Sequence, residues 1–257
     1  MEKNSDMIEP VVVLRDVSKI FRSESGVEVK AIEAVNMTVA AGEFVAILGP
    51  TGCGKTTVLN LVAGLDAPDS GSIMVRKTNG SNGVIPYVFQ HYTLFPWRTV
   101  LANVSFGMQM SGMSKRDCKK KAFSLLDQVG LGASANAYPH ELSGGMRQRA
   151  AIAQSLALDS QLLVMDEPFG SLDDHTRHEM GELLSEIWSH LQMTILFVTH
   201  NIDEALMLAD RVILFKGHPG KPEEEFYIEI PRPRDRLSTQ FTALHVELRK
   251  LMSNECA

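Results

Sequence analysis

No apolar run in this 257-residue chain approaches the ~18 residues that a helix needs to cross a bilayer. The apolar stretches it has, such as Phe44 to Leu48 and Leu162 to Met165, are the length of buried strands. The opening Met1-Glu2-Lys3-Asn4-Ser5-Asp6 lacks the apolar core of a secretion signal, so the protein is expected to stay where it is made. If it works at a membrane, another subunit must hold it there. Cysteine is scarce: Cys53, Cys118 and Cys256 form an odd set without metal-type spacing, which points to reduced thiols in a cytoplasmic protein. Basic charge is scarce too. With 25 Lys and Arg against 31 Asp and Glu, the net charge of −6 argues against a long phosphate backbone as the main partner. Internal repeats and low-complexity segments are absent.

What is present suits one large globular domain. Hydrophobic residues make up 44% and charged residues 22%, and the length is ample for a buried core. Val11 to Leu14 reads as an opening strand, and Val17 to Phe21 leads into a polar turn at Ser23-Glu24-Ser25-Gly26. A second strand pair is expected through Val29 to Ile32 and Asn36 to Val39. Phe44 to Leu48 is a buried strand followed by a helix over Thr56 to Leu65. Residues 66–83 have the composition of a surface hairpin, and Val84 to Gln90 returns to strand. Helical patterning runs from Trp97 to Leu142 and again over Met146 to Leu158. After residue 160 the pattern alternates: strand Leu162 to Met165, helix His175 to Leu191, strand Thr194 to Val198, helix Ile202 to Ala209, strand Arg211 to Phe215. That alternation implies parallel strands joined by crossover helices. A Pro-rich stretch (Pro219, Pro222, Pro231, Pro233) precedes an amphipathic end carrying Phe241, Leu244, Leu248 and Leu251, expected to dock on its own domain.

Three segments carry the chemistry. Gly49-Pro50-Thr51-Gly52-Cys53-Gly54-Lys55-Thr56 fits the phosphate-loop pattern at every fixed position, with a strand before it and a helix after it. Such a loop converges backbone N–H groups on phosphates at a helix N-terminus, while its Lys reaches the β- and γ-phosphates and its hydroxyl sits on Mg²⁺. Asp166 and Glu167 end a buried strand, where two adjacent carboxylates without a ligand would be costly. Between them Leu142-Ser143-Gly144-Gly145-Met146-Arg147-Gln148-Arg149 opens a helix and offers a second anion-binding end.

In this order the three segments resemble the ATP-binding-cassette (ABC) ATPases, and the resemblance spans roughly residues 11–235. It implies an α/β fold: a P-loop NTPase core with a mainly parallel sheet, an antiparallel β subdomain and an inserted α-helical subdomain at about 97–158. The cassette would cover 1–235, with a C-terminal amphipathic helix or tail over 236–257. ATP and Mg²⁺ are the implied cofactors. Gly49, Pro50, Thr51, Gly52, Cys53, Gly54, Lys55, Thr56 and Thr57 would bind ATP, and Thr56, Gln90 and Asp166 the metal. Glu167 would activate the attacking water, which Gln90 would also contact, with His200 beside the γ-phosphate. Ser143, Gly144, Gly145 and Gln148 would bind the ATP of a second protomer, and Ser171, Leu172 and Asp173 would couple the two sites. Phe21 stands where relatives stack an aromatic on adenine; a core Phe is the alternative. Cys53 reads as a small filler of the loop. Asn201 replaces the Asp that many relatives carry after the histidine.

Segments Leu94-Phe95-Pro96-Trp97-Arg98-Thr99-Val100-Leu101, Asp166 to Asp173, Phe197 to Ala205 and Ile230-Pro231-Arg232-Pro233-Arg234 resemble the ATPases of nitrate, sulfonate and taurine importers. The resemblance implies a homodimer peripheral to the cytoplasmic face of the inner membrane. There it would serve an integral membrane permease and, indirectly, an extracytoplasmic substrate-binding protein. The aromatic stretch after Gln90 would grip the permease, unless Phe95 and Trp97 are core aromatics. No nucleic acid partner is expected; a soluble cassette acting on nucleic acid or in regulation, or one serving another substrate class, is the alternative.

Overall fold

The computed structural model describes residues 9–22, 26–76 and 83–253, so Met1 to Asp6, the turn at 23–25 and Cys256 lie outside it. Two long strands, β1 (Pro10–Arg22) and β2 (Glu28–Ala40), pair antiparallel and form a three-stranded sheet with β4 (Ser70–Val75) in the order β2-β1-β4. Each long strand was expected as two short ones. Bulges explain the difference: Asp16 and Ala34 take positive φ of 50° and 47°, shifting the register while the ladder continues.

The central sheet runs β5 (Tyr87–Val88), β6 (Leu162–Asp166), β7 (Thr194–Thr199), β3 (Phe44–Leu48), β8 (Arg211–Lys216) and β9 (Lys221–Tyr227). All neighbours are parallel except β9, which returns antiparallel beside β8. The strand foreseen over Val84 to Gln90 shrinks to two residues, and β9, for which no strand was foreseen, lies in the Pro-rich stretch.

β3 is buried throughout and splits its side chains between two cores. Phe44, Ala46 and Leu48 face the helices α2 (Val100–Met110), α3 (Lys115–Gln128) and α4 (Gly144–Leu156), together with α5 (Asp174–Leu191) and α6 (Ile202–Leu208). Val45 and Ile47 face α1 (Lys55–Val62) and the antiparallel sheet. This period-2 division is why a short apolar run can anchor two layers. The last helix, α7 (Thr239–Ser253), buries Phe241 and Leu248 against its own domain, with Leu244 and Leu251 half-buried beside them. No helix among the described residues is long and apolar enough to cross a membrane.

Candidate nucleotide site

Four parallel strands end on one edge of the central sheet and deliver the chemical groups there. β3 runs into the phosphate loop, whose path depends on glycine. Gly54 caps α1 at φ 92°, and a Cβ on it would lie 2.6 Å from the Ala31 carbonyl oxygen and from Ile32. Lys55 is buried, and its Nζ donates to the carbonyls of Gly49 (2.8 Å) and Pro50 (2.7 Å). Cys53 is buried behind the loop.

At the end of β6, Thr56 Oγ1 donates to Asp166 Oδ1 at 3.1 Å. Burial, the Glu167 charge adding to it, pushes the Asp166 carboxyl upward, although the Thr56 bond opposes the shift. Next to it Glu167 takes φ 42°, an unfavourable backbone for a residue with a Cβ. Its amide donates to Val198 O on β7 at 2.9 Å. Its Oε2 meets His200 Nδ1 at 2.9 Å and Gln90 Nε2 at 3.4 Å. Glu167, His200 and Gln90 therefore converge from three strand ends, as a group acting on one water would.

A cleft of about 380 Å³ joins Lys55, Thr56, Gln90, Asp166 and Glu167 to Phe21 and Val29. Phe21 is 44% exposed at this cleft, so it is not a core side chain. A larger hollow of about 670 Å³ lies elsewhere, between α5, α6 and residues 232–236, and holds none of the phosphate-loop residues.

Ser143 caps α4 by accepting from the Met146 amide at 3.3 Å. A Cβ on Gly144 would sit 3.3 Å from Tyr92 Oη, and one on Gly145 only 2.7 Å from Thr176. Tyr92 in turn shares a hydrogen bond with Ser171 Oγ (3.1 Å), and Asp173 caps α5 by accepting from Thr176 N at 3.0 Å. The 143–145 and 171–173 segments thus pack together, and neither lines the cleft. Gln148 departs from expectation: it is wholly buried inside its own chain, and neither amide atom has a partner among the described residues. Helical spacing explains the correction, since Gln148 shares a buried face with Ala151, Ile152 and Ser155.

Three residues escaped the sequence reading. Tyr87 Oη lies 3.3 Å from Asp166 Oδ2 and 3.1 Å from Asn60 Oδ1, and burial pushes its phenol upward. Glu204, buried on α6, accepts from Thr199 Oγ1 at 2.6 Å and faces Arg177 Nε at 3.3 Å. Arg177 also donates to Leu172 O at 2.7 Å, so one pair braces both the His200 turn and the 171–173 loop. The Tyr87 contacts and the Arg177–Glu204 pair span 27 residues or more and leave no local pattern.

The ABC transporter family model matches residues 32–170. The chain is 46% identical to the nitrate import ATP-binding protein NrtD of Synechocystis sp., over 85% of this chain and 82% of that protein. It is 45% identical to the taurine import ATP-binding protein TauB of Yersinia pestis, over 76% and 77% of the two chains. An uncharacterised ABC transporter ATP-binding protein of Methanocaldococcus jannaschii matches at 40% over 98% of this chain and 95% of its own. Among solved structures, a dimeric ATP-binding cassette in a post-hydrolysis state with ADP and Pi superposes with a TM-score of 0.73 at 31% identity, covering 85% of this chain and 99% of that one. The chain belongs to the ABC transporter family. It is an ATPase of that family, built on the P-loop NTPase fold.

Proposed function

We propose that this chain is the ATP-hydrolysing subunit of an importer for a small anion such as nitrate, a sulfonate or taurine. The convergence of Gln90 and His200 on the Glu167 carboxylate carries the catalytic part of this reading. Glu167 takes a proton from the attacking water, whose oxygen bonds to the γ-phosphorus as the bond to the ADP oxygen breaks. His200 and Gln90 hold that carboxylate and the γ-phosphate in register. Lys55 exchanges its two loop carbonyls for phosphate oxygens, and Phe21 stacks on the adenine.

The touching Thr56 hydroxyl and Asp166 carboxylate fit Mg²⁺, a hard cation that takes few protein oxygens and completes its shell with phosphate and water. Thr56, Asp166 and Gln90 would hold it, and it would neutralise charge on the phosphates. Because Ser143, Gly144 and Gly145 do not line the cleft, they serve the ATP of a second protomer in a head-to-tail homodimer, with Ser171, Leu172 and Asp173 linking the sites. Gln148 sets the packing of that helix and does not touch nucleotide. Dimer closure on ATP drives a separate integral membrane permease, placing the subunit on the cytoplasmic face of the membrane. Trp97, 72% exposed beside Phe95, marks the docking face. The relatives NrtD and TauB suggest the cargo class; a permease and its binding protein choose within it.

Glu167→Gln is expected to bind ATP, stay dimeric and hydrolyse at least 100-fold more slowly. Wild-type turnover in that variant would remove Glu167 from the role of base. Affinity capture of the wild-type chain from detergent-solubilised native membranes should bring down a polytopic membrane protein in near-stoichiometric amount. Recovery only from the soluble fraction, with nucleic acid or ribosomal proteins attached, would sink the transport reading.

A further inference from the structure

The turn joining β8 to β9, residues 217–220, is fastened across the outside of the phosphate loop. β8 is parallel to β3, so it ends on the edge where the loop begins. A Cβ on Gly220 would stand 1.7 Å from the Cys53 carbonyl oxygen, and one on Gly49 would stand 2.1 Å from Phe215 O; the two backbones are in direct contact. Gly220 N donates to Ala31 O at 2.9 Å, and Glu33 N donates to Gly220 O at 3.2 Å, tying the same turn to β2. On this fixed turn sits His218. Its ring is exposed, makes no hydrogen bond or ion pair with any described residue, and lines the nucleotide cleft with Thr51, Gly52 and Lys30. Its Cε1 comes within 3.5 Å of a Cβ placed on Gly52.

We propose that His218 is a nucleotide-binding residue that donates a ring N–H to the polyphosphate of the bound nucleoside di- or triphosphate. Either imidazole tautomer carries one N–H donor, so the contact does not need a charged ring. The backbone around His218 is already ordered by the clamp to Gly49, Cys53 and Ala31, which lowers the ordering cost of the contact. The ring neighbours Gly52 of the phosphate loop and makes no hydrogen bond with Glu167, Gln90 or His200, so it acts on affinity and not on the bond that breaks. This inference rests on the proposed ATP site.

The test is ATP turnover and ADP binding of the full chain as wild type, His218→Ala, His218→Asn and Lys55→Ala. His218→Ala should raise the KM for ATP and the Kd for ADP about tenfold, with kcat within about twofold, as expected for losing one hydrogen bond to a charged acceptor. His218→Asn, which keeps an N–H donor, should recover most of that loss. Unchanged KM and Kd in His218→Ala, with binding abolished in Lys55→Ala, would overturn the assignment and leave the ATP site standing. Equal losses in the Ala and Asn variants, both folded by circular dichroism, would overturn the donor role. A wild-type chain that neither binds nor hydrolyses ATP would instead remove the site reading beneath it.

Discussion

Arg234 closes the Pro-Arg-Pro-Arg segment, and its removal should cost more stability than most single changes in this chain. The side chain is 6% exposed, and its guanidinium makes no carboxylate hydrogen bond among the described residues, Asp210 acting on it only through its charge. It donates to four backbone carbonyls: Ile230 (2.9 Å), Leu206 (2.6 Å), Ala209 (2.7 Å) and Ile228 (3.3 Å). Two of these oxygens belong to the end of α6, where a helix leaves acceptors unsatisfied and a cation is favoured. Bonds to a charged donor are each worth about 1.5–3 kcal/mol, so four amount to roughly 6–12 kcal/mol gross. Against that stands the cost of burying the cation beside Arg232, which holds the Arg234 guanidinium down to about 10. The balance is the loss typical of breaking a buried charged contact, about 3–5 kcal/mol for Arg234→Ala. In a chain of this size that lowers Tm by roughly 10 °C in a thermal melt followed by circular dichroism. Arg234→Lys should recover less than half, since an ammonium cannot span four acceptors with a planar fork. A melt shifted by under about 2 °C in Arg234→Ala would refute the reasoning, because water would then be serving the four carbonyls unaided.

Asn103, fully buried on α2, donates to the carbonyls of Phe95, Arg98 and Thr99 and accepts from Phe95 N at 2.7 Å, fixing the loop that presents Trp97. Asn103→Ala should keep basal ATPase within about twofold and lose about 2 kcal/mol of stability; its ATPase should no longer respond to the reconstituted permease, and full stimulation would refute the anchoring role. Gly54→Ala should weaken ATP binding at least tenfold, because a Cβ there meets the Ala31 backbone at φ 92°. Gly26→Ala, at φ 81° with nothing within 4 Å, should leave binding unchanged, and equal effects would show strain alone at work. Burial pushes the Glu204 carboxyl above its ordinary 4.5 despite its bonds to Thr199 and Arg177. An acid raised in the folded state contributes stability below its unfolded value and loses it as pH rises through the folded one. Urea midpoints of Glu204→Gln relative to wild type should therefore climb from pH 4 to pH 8; a flat difference would mean that Arg177 offsets the burial.

The phosphate loop was legible because its constraints are local: closely spaced glycines, a lysine and a hydroxyl serve one helix end. The alternation after residue 160 was legible because buried parallel strands are short apolar runs between helices. β9 was not, since Lys221-Pro222-Glu223-Glu224-Glu225-Phe226-Tyr227 is an edge strand with mostly exposed side chains and a proline near its start. Its place is set across the ladder, where Glu225 meets the buried Arg211 at 2.8 Å. The bulges in β1 and β2 were hidden for a related reason: a pleat interrupted by one residue reads as two strands. Gln148 was assigned by motif membership, when its spacing to Ala151, Ile152 and Ser155 already placed it on the buried face of α4.

Strand direction accounts for the rest of the site. In a parallel sheet every strand ends on the same edge, so groups 33 to 110 residues apart in sequence meet without a local signal: Thr56 with Asp166, Glu167 with His200. The same rule reaches β8, whose end must also lie on that edge and whose turn therefore borders the phosphate loop. The helix that begins at Ser143 obeys a different constraint, because its start is held by Tyr92 and Thr176 beside the 171–173 loop and not by any strand end. One chain thus holds the edge proposed to bind phosphate and, apart from it, the helix start proposed to bind an anion, each with its surroundings already fixed. The proposed head-to-tail homodimer, in which a second copy presents its helix start to the first copy's edge, would bring the two together without refolding either.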